Sequence, residues 1–530
     1  MIQKRFYFLC IVLVFPSFLF AQRANFSLNQ ERNFLYQRSV VGKSIHTSFT
    51  PLIASKIFDR RDSILTSKFK LDYKSFFYKK LFAEHFIAVE NKEFEFFASP
   101  ILNISFGREM QQKKNTFTNT RGFLAGGVIG GKLRFESIFL ENQASFPNYI
   151  HNYIQNSNVV PGQGYVRPFN NEGYDYSMSS GYISYKPFPV MTIQFGHGKH
   201  FIGDGYRSLI LSDLSFNYPF LRIQTNFNNI QYTNLFTQFQ DIRNPISDQS
   251  IGFTRKYMTS HHLSININEK LNIGLYEAII FSNANSNKNN SFDINYLNPV
   301  IFFRPVEYSL SSPHNVLVAI NAKYVVLRQV YIYGQFILDE FSLSEMRKID
   351  NWWGKKYGYQ AGIKTYDLFS IKNLVVQSEY NFVRPYTYAH SDPLQSYSHY
   401  NQPLSHPLGA NFTESLLILY YRWKRFTTRT QFMYAKYGGK KLNDSTSYGN
   451  DLFMSTNNRN SDSGVEMYQG NLHKLNYFSC NIGYIINPIT NLKFTVGYVK
   501  RKLLNEDSTE LTNYYYFGLS TELFNRYYDY

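Results

Sequence analysis

The sequence has two cysteines in 530 residues. Beyond residue 21 it has no run of about 20 apolar residues, the length a membrane-crossing helix needs. Two cysteines exclude a disulfide framework and any cysteine-rich metal site. A mean hydropathy of −0.33 is also too polar for a helical membrane protein. Nucleotide fingerprints are missing: there is no GxGxxG at a strand–helix junction and no phosphate-loop lysine motif. Acid is the scarcer charge, with 38 Asp+Glu against 55 Lys+Arg and a net charge of +17. What abounds is aromatic. The 44 Tyr, 49 Phe and 3 Trp make up 18% of residues, as much as all charged residues together. Such a chain is too aromatic for disorder. Length alone, at roughly 150 residues per domain, suggests several soluble domains, but this composition argues against them.

The first segment sets the compartment. Lys4 and Arg5 precede a nearly unbroken apolar run from Phe6 to Phe20, and Ala21 is followed by polar Gln22-Arg23-Ala24-Asn25. This order predicts a secretory signal over 1–21, cleaved after Ala21. Cys10 does not read as a lipidation site, because Tyr7-Phe8-Leu9 lacks the small residue that precedes a lipidated cysteine. Cleavage leaves Cys480 alone, so the exported chain has no intramolecular disulfide. With no apolar helix left, it can cross a membrane only as a closed β-barrel, since lipid leaves no backbone group unpaired.

From residue 94 onward, period-2 alternation recurs, as in transmembrane strands. Leu492, Phe494, Val496 and Tyr498 share one face, opposed by Asn491, Lys493, Thr495 and Gly497. In 371–384, Leu374, Val376, Tyr380 and Phe382 oppose Gln377, Glu379 and Asn381. In 131–142 the pattern is less clean, because Leu140 falls on the face of Arg134 and Glu136. The predicted strands are 94–106, 119–129, 131–143, 176–187, 190–198, 219–227, 229–240, 255–267, 271–282, 315–326, 329–342, 357–368, 371–384, 412–424, 425–437, 472–486, 489–501 and 512–524. Links after even-numbered strands are very short, such as Asn228-Asn229. Links after odd-numbered strands are mostly long and polar: 144–175, 283–314, 385–411 and 438–471. Short turns at one end and long loops at the other are the pattern of an outer-membrane barrel, which a soluble sandwich has no reason to show. An even strand count leaves both termini on the short-turn, periplasmic side. Tyr515, Phe517, Leu519 and Leu523 alternate toward the terminal Arg526-Tyr527-Tyr528-Asp529-Tyr530, like the assembly signal of such barrels.

Residues 22–93 differ. Leu28–Tyr36 and Phe76–Phe86 have a period nearer 3.6 and read as short helices. A barrel of this size encloses a lumen too wide for its own side chains to fill, so 22–93 is expected to cap or plug the periplasmic end.

Candidate chemistry is thin and concentrates in 195–218. His197 and His200 are spaced HxxH, with Asp204, Arg207, Ser208, Ser212 and Asp213 close behind. A loop with this spacing can hold a metal, but no third ligand is evident, and a structured loop whose His, Asp and Arg satisfy one another is the favoured reading. Ser, His and Asp occur together without a nucleophile elbow, so no enzyme, metal or cofactor is expected. Nucleic acid is an unsuitable partner for an exported barrel. The positive balance suits lipopolysaccharide phosphates or acidic polysaccharide, or else reflects a compositional bias of the source. Tyr149, Tyr153, Tyr165 and Tyr174 lie in one long loop, Tyr386, Tyr388, Tyr397 and Tyr400 in another, and Trp352 and Trp353 in 343–356. Aromatic faces with amide neighbours suit sugar rings; they also suit the aromatic belts at membrane interfaces.

The stretch from Phe195 to Asp213 resembles a signature of the RemB-type gliding-motility proteins, a group related to the Wzi-like capsule-assembly barrels. Tyr182–Pro187, Asn217–Phe220 and Leu523–Tyr530 also resemble that group. The resemblance implies an all-β, outer-membrane, antiparallel barrel of about 18 strands with a helical N-terminal periplasmic part. It implies a role in gliding or in retaining surface polysaccharide, with gliding or export machinery as further partners. It carries no residue-level glycan site. The expected organisation is a signal over 1–21, a cap over 22–93 and a barrel over 94–530, with long loops outside a Gram-negative cell. A porin-like channel is the alternative, and an outer-membrane hydrolase the remoter one.

Overall fold

The structure, a computed structural model, describes residues 25–53, 75–91, 93–170, 172–245, 252–282, 292–300, 314–340 and 351–530. The segment expected to be an export signal lies outside these, as does 54–74 of the expected cap.

The chain forms a closed antiparallel barrel of 18 strands. They are β1 Phe94–Glu109, β2 Lys114–Ile129, β3 Leu133–Ser145, β4 Gly173–Phe188, β5 Met191–Gly198, β6 Tyr218–Phe227, β7 Ile230–Pro245, β8 Phe253–Asn266 and β9 Leu271–Phe281. There follow β10 Asn315–Leu327, β11 Val330–Asp339, β12 Tyr357–Tyr366, β13 Leu374–Val383, β14 Phe412–Trp423, β15 Phe426–Gly439, β16 Asn471–Asn487, β17 Leu492–Leu504 and β18 Thr509–Thr521. Each pairs with the next, and β18 closes on β1 with Phe517 opposite Phe106. Every predicted strand has its counterpart. The links after even strands are short, the longest being 367–373, and those after odd strands are long except at 110–113, 246–252 and 505–508.

Burial is inside-out, as a bilayer requires of a barrel with a filled lumen. On β17, Lys493 and Thr495 face inward at 5% and 7% exposure, while Phe494 and Val496 face outward at 41% and 51%. Gln377, Glu379 and Asn381 are likewise buried in the lumen.

Among the described residues three α-helices flank or fill this wall: α1 Gln30–Val40, α2 Phe76–Phe82 and α3 Asn148–Ser157. Asn29 caps α1 by accepting from the Arg32 N–H at 2.9 Å. The third helix, inside a loop whose Tyr/Asn/Ser composition reads as irregular, was not predicted. Its buried Tyr149, Ile150 and Ile154 supply the helical period.

Residues 25–53 lie within the barrel. Phe34 of α1 packs among Tyr331, Tyr333, Tyr366 and Tyr420 near the short turns. Further along, Phe49–Thr50 pairs with Phe201–Ile202 of the loop after β5. The loop after β13 also folds inward: Ser212 N–H donates to Leu404 O at 2.8 Å, and Tyr388 OH to Leu209 O at 2.7 Å.

Two expectations change here. The last strand ends at Thr521, on the short-turn side as an even count demands. Residues 522–530, however, do not extend the strand. They turn back up the lumen, so that Tyr149 OH donates to Tyr528 O at 2.9 Å and Arg501 Nε to Tyr530 O at 2.8 Å. Tyr530 therefore lies toward the long-loop rim, not at the short-turn end where the even strand count was expected to leave it. Leu523 leaves the strand pattern for the same reason, and its burial explains the irregular 131–142. Ile138 and Leu140 face the lumen because Leu523 covers them.

One long loop goes the other way. Segment 292–300, after β9, lies on the outer wall of β7–β9, where Tyr296 stacks on Phe281 with centroids 4.2 Å apart. Beneath it runs a polar cross-strand row, Asn234–His261–Glu277. The Asn234 amide donates to Pro299 O at 3.1 Å. Polar side chains on a lipid-facing wall are costly unless covered, and this strap covers them.

Candidate functional site

The loop 199–217 joins β5 to β6 and enters the lumen. Gly203, at φ +140°, and Gly205 allow close approach, since a Cβ at Gly203 would strike the Gln335 amide and one at Gly205 the Glu379 carboxylate. The glycines serve contact with the barrel wall as well as turning.

Arg207 is the centre of this loop, at 2% exposure. Its guanidinium reaches Glu414 of β14 at 3.0 Å and Asp529 of the returning tail at 3.1 Å. Its Nη2 also donates to the Asp529 backbone oxygen at 2.9 Å. Burial opposes the charge on Arg207, but the Asp529 and Glu414 carboxylates more than offset it and hold its pKa well above the ordinary value. The backbone N–H groups of Tyr206 and Arg207 both donate to Glu379 of β13. Tyr206 OH and the Gln431 amide donate to Asp529. His406 Nδ1 accepts from Leu408 N–H, which leaves the proton on Nε2, 2.9 Å from Glu414. Burial pushes His406 down, against the pull of Glu414, and favours this neutral form.

A second cluster locks the tail lower down. Asp213 accepts from Tyr527 OH at 2.7 Å and from Asn525 at 2.9 Å. Burial pushes the Asp213 carboxyl up, and the Tyr527 hydroxyl pulls it back in part. Lys199 donates to the Asp213 carbonyl, and burial lowers its pKa to about 8. Asp204 binds Thr47 of the N-terminal segment at 2.6 Å and Lys323 of β10 at 3.2 Å.

The structure thus brings Asp204, Arg207 and Asp213 into contact with the wall, the tail and residues 25–53. It does not bring His197 and His200 together. His197 shares the outward register with Phe195 and bonds Ser179 O at 3.0 Å. His200 points inward against Phe220, 4.5 Å between centroids, and burial keeps its pKa well below the ordinary value. Ser208 Oγ donates to Ile202 O and accepts from the Ile210 N–H. Ser212 Oγ donates to Leu404 O. Both hydroxyls are taken up by backbone. Among the described residues no cluster of three or more His, Cys, Asp or Glu has metal-binding geometry. Glu379, Glu414, His406 and Asp529 are the partners that sequence reasoning missed. The available signal was the inward register of the two glutamates in strands expected to line a lumen.

The loop aromatics divide by exposure. Tyr149 and Tyr174 are buried, and Tyr153 is half-buried against Tyr530 with centroids 5.1 Å apart. Tyr165 is 46% exposed. Trp352 and Trp353 are half-buried at the long-loop rim, where Arg459 lies 4.0 Å above the Trp353 ring and Lys356 5.4 Å from it.

The chain is similar in structure to Wzi, an outer membrane protein involved in group 1 capsule assembly in Escherichia coli and a carbohydrate-binding β-barrel. The identity is 13%, the match covers 95% of this chain and 99% of that one, and the TM-score is 0.54. The fold is Wzi-like. OprD of Pseudomonas aeruginosa matches at 10% identity, over 83% of this chain and 96% of that one, with a TM-score of 0.42. OccAB2 of Acinetobacter baumannii matches at 8% identity, over 80% and 97%, with a TM-score of 0.44. Neither of these two similarities is close enough to carry argument. No family model matches the sequence, and no curated protein matches it. Against the Wzi-like frame, the Arg207 network joins loop, wall and tail inside the lumen, and it leaves the aromatic rim as the outward-facing chemistry.

Proposed function

We propose that this is an outer-membrane barrel that holds or helps assemble surface polysaccharide at its long-loop rim, and that it does not pass solutes through its lumen. The observation that carries the reading is the occupied lumen. Residues 25–53, the loops after β5 and β13 and residues 522–530 are bonded to one another and to the wall. The Wzi fold supports it by likeness, since that protein is a carbohydrate-binding barrel in capsule assembly. The rim supports it chemically. Trp353 with Arg459 over its ring, Trp352 beside it and exposed Tyr165 offer ring faces and a cation to an acidic glycan. In this reading the plug expected within 22–93 is residues 25–53, which sit inside the barrel.

A finer role in surface gliding is supported by the resemblance of 195–213 to gliding-motility proteins. Gene deletion followed by paired capsule-staining and colony-spreading assays tests both. Loss of retained polysaccharide, with or without loss of spreading, is expected. Wild-type behaviour in both assays would overturn the reading.

A further inference from the structure

Helix α2 has no buried side chain. Phe76 is 75% exposed, Phe77 68%, Tyr78 53% and Leu81 41%. The exposed apolar surface continues through Phe86 and into Ile87 and Val89 of the short strand that pairs with the start of β1. Lys79 and Lys80 are the only charges within the helix. In water, a contiguous aromatic surface of this kind is a liability or an interaction site.

Its position in the fold is fixed by three contacts. The Asn487 amide, at the end of β16, donates to Glu84 O at 3.0 Å. His85 stacks on Phe97 of β1 with centroids 4.4 Å apart, and its Nδ1 lies 2.9 Å from Ser99 Oγ. The helix itself packs against β16. These contacts hold α2 at the short-turn end of the barrel. There the outer wall carries exposed Phe188, Phe227, Trp423, Phe426 and Phe494, the kind of aromatic girdle that marks a bilayer interface. The apolar surface of α2 is continuous with a surface already built for lipid.

We propose that α2 and the adjoining Phe86–Val89 lie in the phospholipid leaflet at the short-turn end, as an interfacial anchor. The aromatic rings enter the boundary between headgroups and acyl chains, and Lys79 meets anionic headgroups. Lys80 is committed within the segment: its ammonium pairs with Glu84 at 3.1 Å, donates to His85 O at 3.3 Å and sits 5.7 Å from the Phe76 ring. The anchor ties the connection between the lumen-filling residues 25–53 and the barrel wall to the plane of the membrane. The inference rests on the barrel spanning a bilayer and is independent of what the rim binds.

Spin labels test it in the full mature chain. In a Cys480→Ser background, Phe77→Cys and Leu81→Cys are compared with Phe494→Cys on the girdle and Leu442→Cys on an exposed loop, all in nanodiscs of phosphatidylethanolamine and phosphatidylglycerol. Heat-modifiable gel mobility confirms that each variant is folded. The expected result is an oxygen-over-nickel-chelate accessibility ratio at 77 and 81 that matches 494 and exceeds 442. A ratio matching 442 overturns the proposal by placing α2 in water. Protection from both reagents also overturns it, by showing that protein, whether residues 54–74 or another chain, covers the helix.

Discussion

Arg207 and Asp529 are held together twice, once through the Asp529 carboxylate at 3.1 Å and once through its backbone oxygen at 2.9 Å, although they lie 322 positions apart in sequence. The double contact fixes the tail itself, not merely one side chain on it. Glu414 on the barrel wall completes the arrangement, so loop, tail and strand share one buried cation.

Arg207→Met is expected to free residues 522–530. Removing one partner of a buried ionic set leaves uncompensated charge and costs about 3–5 kcal/mol. Carboxypeptidase digestion of the detergent-solubilised protein should then shorten a tail that resists in the parent chain. Adding Glu414→Gln and Asp529→Asn to Arg207→Met should recover part of the resistance, because the orphaned charges are gone. A tail equally resistant in Arg207→Met would show that the network is not what holds it.

The parent protein in a planar bilayer is expected to show no steady channel conductance. Deletion of 22–93 should produce one, since the segment that packs among Tyr331, Tyr333, Tyr366 and Tyr420 would be gone. Conductance unchanged by the deletion would remove the cap.

The loop after β13 carries a pH-sensitive anchor. His390 Nε2 lies 3.1 Å from Glu340, and Lys356 pairs with the same carboxylate at 2.6 Å. Burial opposes Glu340 ionisation, but Lys356 more than offsets it and brings its pKa to about 2. Burial also opposes the His390 charge, and Glu340 outweighs it, raising the imidazole above 6.5. The depressed Glu340 contributes stability above 4.5 that is lost as pH falls toward about 2. The raised His390 contributes stability below 6.5 that is lost as pH rises through its folded value. Thermal unfolding should therefore peak in this contribution between those limits. His390→Asn should flatten the upper flank, and Glu340→Gln both, each by about 1 kcal/mol or less.

Leu523→Ala should destabilise the barrel by about 2–5 kcal/mol in denaturant titrations, because the cavity opens against Ile138 and Leu140. Leu523→Met, close in volume, should cost less than about 1.5 kcal/mol. Equal costs would mean that the site collapses freely and that the tail does not pack there.

The barrel wall was legible because its physics is local. Alternation at Phe494 and Lys493, and short turns such as Asn228-Asn229, depend only on neighbours in the chain. What fills the lumen was less legible, because it depends on partners far apart. Nothing near Asp529 announces Arg207, and nothing near Leu140 announces Leu523. The terminal strand was over-extended for that reason: Leu523 keeps the alternating spacing but meets the interior instead of lipid. The strap over Asn234, His261 and Glu277 was invisible for the converse reason. Polar residues on the outward register read as a flaw in a strand until the segment that shields them is in place.

The course of residues 522–530 constrains how the molecule is built. The wall becomes a closed ring only when β18 meets β1 along the Phe106–Phe517 seam. The tail that leads on from β18 lies inside that ring, so the strand that seals the wall also carries part of the filling. Wall and contents are one continuous chain, and the tail is retained by its bonds to Arg207 and Asp213 rather than by the seam.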